Sequence, residues 1–178
     1  VKEGCYYIIK DEFFEKFEKN GSSFKMNKNQ NRPTFCCIED GIIEGLYWAI
    51  PTSNGEKVGE NISKVERVEK YCNFEDIRRN YYHIGRTNKR AIFCISSAFP
   101  ITDKYVLRDY KCNGQPLEMR KEAMKKSIKD KLLVILSQEN QFPNKFDAHI
   151  TDIKNILKQE LIEENTIELE EERIEEIS

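Results

Sequence analysis

Thr52 and Ser53 follow directly on the apolar run Gly45–Ile50 and Pro51, and Asn54-Gly55-Glu56-Lys57 comes next. The run reads as a strand, and Pro51 is expected to end its ladder because proline has no N–H to donate. Two hydroxyls then sit at the mouth of a strand beside free backbone N–H groups. Asn54-Gly55 is a strong turn dipeptide, and such a turn would swing Lys57 back towards Thr52 and Ser53. Hydroxyls, amides and a cation converging on one point would suit a phosphodiester in its transition state. The same spacing also suits an ordinary hairpin with a solvated lysine.

A second segment with chemical potential is Tyr81-Tyr82-His83-Ile84-Gly85-Arg86-Thr87-Asn88-Lys89-Arg90. Its aromatics can stack on bases and its cations can meet phosphates, a composition suited to single-stranded RNA. His83 is a candidate acid–base group if the fold brings it to Ser53; a surface-loop histidine is the alternative. Lys25, Lys28, Arg32, Arg86, Lys89, Arg90, Lys121 and Lys125 are candidate RNA contacts. Residues 159–178 hold nine glutamates against one cation, Arg173, a net −8, so the other 158 residues carry +6 of the overall −2. A basic body with an acidic tail fits a polyanion-binding domain; a solvated acidic helix on an ordinary domain is the alternative.

The six cysteines form no CxxC pair and no Cys/His cluster, so no metal and no cofactor is expected. Cys36, Cys37 and Cys94 lie among apolar residues and are expected to pack as small hydrophobes with reduced thiols. Charged residues make up 34% and the mean hydropathy is −0.69. With no apolar run near the ~20 residues of a membrane span, and no signal-peptide layout at Val1–Cys5, a soluble cytoplasmic protein is expected.

The elements that must position these residues read as follows. Tyr6–Lys10 is a short strand, and Asp11 is placed to cap a helix carrying Phe13, Phe14 and Phe17. Thr34–Ile38 is a buried strand; Arg90–Ser97 is another, and Tyr105–Leu107 a third candidate. Residues 61–72, with Ile62, Val65 and Val68 spaced by three, fit either a strand or a short helix. Leu117–Gln138 has a helical stripe of Met124, Ile128, Leu132 and Ile135, and Asp147 or Thr151 is placed to cap a second helix. A β-rich beginning and a helical end argue for α+β. Phe35, Cys37, Ile43, Trp48, Ile50, Ile92, Cys94 and Ile95 are the expected core.

Asn31-Arg32-Pro33 with its following strand, and the strand end Ala49-Ile50-Pro51-Thr52-Ser53, resemble the Kid/MazF toxin fold. The strand Tyr6–Lys10 with its aromatic helix, the segment Ile95–Ile101 and the trailing helices are similar to the type III toxin–antitoxin endoribonucleases, nearest their CptN-like branch. The likeness covers residues 6–140 as an ordered pattern, and Thr52-Ser53…Lys57 is its most specific part. It implies a compact twisted antiparallel sheet or small barrel with packed helices, residues 1–140 forming the ribonuclease domain and 141–178 a helical, acidic extension.

The resemblance also implies metal-independent cleavage of single-stranded cellular RNA, with Thr52, Ser53 and Lys57 as the active centre. Attack by the RNA's own 2′-hydroxyl would leave a 2′,3′-cyclic phosphate. It implies, too, inhibition by a small structured antitoxin RNA, which the enzyme cuts from a repeated precursor and holds in a cyclic protein–RNA oligomer. Family members often place the lysine two residues after the serine, whereas Asn54-Gly55-Glu56 intervene here. Two other readings fit the same residues: a MazF-like ribonuclease with a protein antitoxin, and a non-catalytic RNA-binding domain.

Overall fold

The computed structural model describes residues 1–24 and 32–175. The chain is α+β. Strand β1 (Tyr6–Ile9) leads into α1 (Asp11–Lys19), followed by β2 (Thr34–Glu39), β3 (Tyr47–Asn54) and α2 (Asn61–Cys72). Next come β4 (Tyr82–Arg86), β5 (Arg90–Cys94), β6 (Phe99–Ile101), β7 (Val106–Asp109) and the small hairpin β8 (Lys111–Cys112) and β9 (Gln115–Pro116). Two helices close the chain, α3 (Glu122–Gln141) and α4 (Ile150–Glu175). No helix among the described residues is long and apolar enough to cross a membrane.

The main sheet is antiparallel with seven strands, ordered β4-β5-β3-β2-β1-β7, and β6 also pairs with β3. It does not close into a barrel, because β4 and β7 remain its two edges. The β4 edge is covered rather than paired: Lys131 of α3 donates to the Tyr82 carbonyl at 2.8 Å. A charged side chain on an edge carbonyl is one way a sheet stays open without templating another strand.

Pro51 does not end its strand, since β3 continues to Asn54. The reason is a change of partner. On one side, β3 pairs with β6 through Tyr47, Trp48 and Ala49, and with β5 through Thr52, Ser53 and Asn54. Pro51 falls in the gap between those ladders, where a missing N–H leaves nothing unpaired. Asn54-Gly55 likewise makes no tight hairpin. The Gly55 N–H donates to the Arg90 carbonyl at 3.0 Å, and a Cβ there would meet the Ala91 backbone at 3.0 Å, so glycine permits this close approach.

The aromatic face of α1 is buried as expected. Phe13 packs at 5.1 Å from Phe99 and 5.3 Å from Tyr105, ring centre to ring centre. Asp11 opens the helix, and Lys10 occupies the cap position. The same core takes Ile128, Leu132 and Ile135 from α3 and Ile150, Ile153 and Leu157 from α4. Seven of the eight expected core residues are buried; Ile43 is the exception, half-buried in the turn before β3. The start of α4 is held by Glu139 of α3, whose Oε1 accepts from Thr151 N, Thr151 Oγ1 and Asn144 N. Glu160 and Glu164, two of the tail's nine glutamates, pair with Lys104, and Glu160 also pairs with Lys16.

Candidate functional site

Thr52 and Ser53 are neighbours in β3, so their side chains point to opposite faces of the sheet. Thr52 lies on the row Thr52–Phe93–His83, and Ser53 on the row Ser53–Ile92–Ile84. The Thr52 hydroxyl is buried and donates to the Pro33 carbonyl at 2.6 Å, fastening β3 to the segment leading into β2. It is therefore a structural clamp, and only Ser53 of the pair is partly exposed.

The cation at Ser53 is Lys64. Its Nζ donates to Ser53 Oγ at 2.9 Å. Lys57, expected there, instead pairs with Glu69 at 2.7 Å, and the same carboxylate holds Arg90 at 3.0 Å. The displacement has a local cause. Residues 61–72 form a helix, and Asn61 at its start donates to the carbonyls of Asn54 and Glu56. That lashing sets the first turns of α2 over the end of β3, with Val65 and Val68 buried on Ile92 and Cys94. Lys64, one residue before Val65, then falls directly above Ser53.

Arg32 completes the site, its Nε donating to the Thr52 carbonyl at 2.6 Å. Burial pushes the Lys64 ammonium below lysine's ordinary value; the positive charges of Arg32 and Arg67 add to this, and Cys94 opposes it. Cys94 lies beneath, and burial raises its thiol. Among the described residues, neither Lys64 nor Arg67 meets a carboxylate within ion-pair distance. Lys64 on Ser53, Arg32 on the adjoining Thr52 carbonyl and Arg67 one helical turn beyond Lys64 make a cationic cluster that can take an anion, and an ammonium of lowered pKa is also a better proton donor.

His83 does not join this site. Its ring projects to the opposite face, where Nδ1 lies 3.4 Å from Ser127 Oγ of α3. Burial, with the Lys131 charge, lowers its pKa to about 4. Of the RNA-contact candidates, Arg86 and Lys121 meet in one groove of about 440 Å³ between the β4–β5 turn, the β8–β9 hairpin and the start of α3, where Arg120 joins them. Lys89 is exposed at the β4–β5 turn. Arg90 shares the Glu69 carboxylate with Lys57, and Lys125 pairs with Glu122 at 2.9 Å. Lys25 and Lys28 lie outside the described residues. Among those described, no group of three His, Cys, Asp or Glu side chains is placed to hold a metal ion, and all six cysteines are free.

Sequence reasoning missed Lys64 and Arg67. The signal for both lay in the three-residue spacing of Ile62, Val65 and Val68. Read as a helix, that spacing places Lys64 and Arg67 on one stripe beside the buried valines. No protein-family model matches the chain, and no curated protein matches it in sequence.

Proposed function

We propose that the chain is a metal-independent endoribonuclease acting on single-stranded RNA in the cytoplasm, with Ser53 and Lys64 at its centre. The observation that carries this is the 2.9 Å contact between Lys64 Nζ and Ser53 Oγ, flanked by Arg32 and Arg67. RNA carries its own nucleophile, the 2′-hydroxyl; as its oxygen bonds to phosphorus its proton passes to solvent water and the P–O5′ bond breaks, so the protein must supply orientation, charge neutralisation and a proton for the leaving 5′-oxygen. Lys64 and Arg67 neutralise the non-bridging oxygens, Ser53 donates a hydrogen bond to one of them, and Lys64 gives its proton to the leaving oxygen and is reprotonated from solvent. Arg32 fixes the β3 end and adds to the positive field.

The resemblance to type III toxins extends this reading to a partner. A small structured antitoxin RNA would occupy the Arg86–Arg120–Lys121 groove and the Ser53 site in a cyclic protein–RNA assembly. The deciding experiment is digestion of a mixed RNA pool in chelator, followed by end-group analysis. Fragments ending in 2′,3′-cyclic phosphate, absent with both Ser53→Ala and Lys64→Ala, are the expected result. Intact RNA that nonetheless binds the protein would assign the site to a binding domain instead.

A further inference from the structure

Two residues back from Ser53 along the same face of β3, Pro51 forms part of a cavity of about 410 Å³. Its other walls include Tyr71 of α2, Tyr81 and Tyr82 at the start of β4, Phe146 before α4, and Ser97. Tyr71 and Tyr81 stack with ring centres 6.1 Å apart and an interplanar angle of 24°. Tyr82 meets Tyr71 edge-on at 5.4 Å, and Phe146 meets Tyr81 edge-on at 6.0 Å. The result is a rigid aromatic wall whose ring orientations are fixed by one another.

The cavity and the Ser53 site are joined by one helix. Lys64, Arg67 and Tyr71 stand at i, i+3 and i+7 of α2, a single stripe. At a rise of 1.5 Å per residue the stripe runs about 10 Å, from Ser53 to the aromatic wall. Along the strand, Pro51 and Ser53 are about 7 Å apart. Arg67 stands between Lys64 and Tyr71 on that stripe. Cation, cation and aromatic in that order suit phosphate, phosphate and base. Such a platform tolerates many sequences, because every base has a π-face.

We propose that this cavity is a base-binding subsite, which takes an unpaired nucleobase of the strand whose phosphate lies at Ser53 and Lys64. The inference rests on the reading of that site as an RNA phosphate site. It makes the enzyme's preference for single strands a property of the cavity, since a paired base cannot turn out of its stack to enter it.

The test uses the full chain carrying Ser53→Ala, with a set of oligouridylates that each carry one 2-aminopurine at a successive position. Stacking quenches this fluorophore. The expected result is strong quenching at one position or two adjacent ones. Tyr81→Leu should abolish the quenching and weaken binding about tenfold, within the range of base–aromatic stacking. Ser97→Phe, which adds a ring to the cavity lining without removing a core side chain, should do the same. The salt dependence of binding should stay unchanged in both, because the phosphates are still held at Lys64 and Arg67. Salt-dependent binding with equal quenching at every position, or quenching untouched by both substitutions, overturns the subsite and leaves the phosphate site standing. Absence of any salt-dependent binding overturns both.

Discussion

Replacing Lys64 by glutamine should lower RNA cleavage by about 100-fold, while the same change at Lys57 should leave it within a factor of about three. A unit charge about 4 Å from the developing phosphorane charge contributes about 1 kcal/mol in bulk water and about 4 kcal/mol at an effective dielectric of 20. Lys64 is half-buried, and its pKa is depressed first by burial, so its surroundings are closer to the second condition. About 3 kcal/mol is a little over two decades in rate, in line with the loss of one positioned oxyanion donor. Lys57 is paired with Glu69 rather than with Ser53. Neither substitution opens a core cavity, so fold loss should not confuse the comparison. Single-turnover cleavage of a short single-stranded RNA in chelator is the assay. Its pH profile adds a second check. Because the folded pKa of Lys64 is lowered, the cation is lost as pH rises, and activity should fall at a pH below lysine's ordinary 10.5. Lys64→Arg should move that limb upward. A 100-fold loss in Lys57→Gln with Lys64→Gln unaffected would refute the reasoning and restore the lysine nearest in sequence.

Thr52→Val should destabilise the fold by about 0.5–1.5 kcal/mol in denaturant titration, since the Pro33 carbonyl loses the Thr52 hydroxyl but keeps the Thr52 N–H; the folded fraction should still cut RNA at the wild-type rate. His83 has a folded pKa of about 4 against an ordinary 6.5. Its stabilising contribution is therefore complete above pH 6.5 and lost as pH falls towards 4, by roughly 1–2 kcal/mol once its partial solvent contact is discounted. His83→Gln should flatten that part of the stability curve, as thermal melts at a series of pH values would record. Arg86→Glu combined with Lys121→Glu should reduce the log–log salt slope of RNA binding, by about 0.7 for each phosphate no longer neutralised, whereas reversing Lys125, held by Glu122, should change it far less. Glu139→Ala should cost about 2–3 kcal/mol in chemical denaturation, because one carboxylate oxygen serves the connection after α3 and the start of α4 together.

Periodicity and apolar runs in the sequence by themselves determined the α+β class, the aromatic face of α1, the buried strands around Phe35, Trp48 and Ile92, and the inner stripe of α3. Each of these depends on side chains within one or two turns or one strand of each other, so local spacing is enough. Ser53 was legible for the same reason, as a hydroxyl at the end of an apolar run. What tertiary structure alone decided was which groups meet there. The alternation of β3 sent Thr52 to one face and Ser53 to the other, while the register of β3, β5 and β4 aligned His83 with Thr52 and so removed it from the site. The switch of β3 from β6 to β5 carried the strand through Pro51. The lashing of Asn61 to the end of β3 then brought Lys64 over Ser53 and left Lys57 to Glu69. Pairings across a sheet and between a helix and a strand are fixed by contacts between segments distant in sequence, and the distance from Ser53 to Lys57 along the chain carries no information about them.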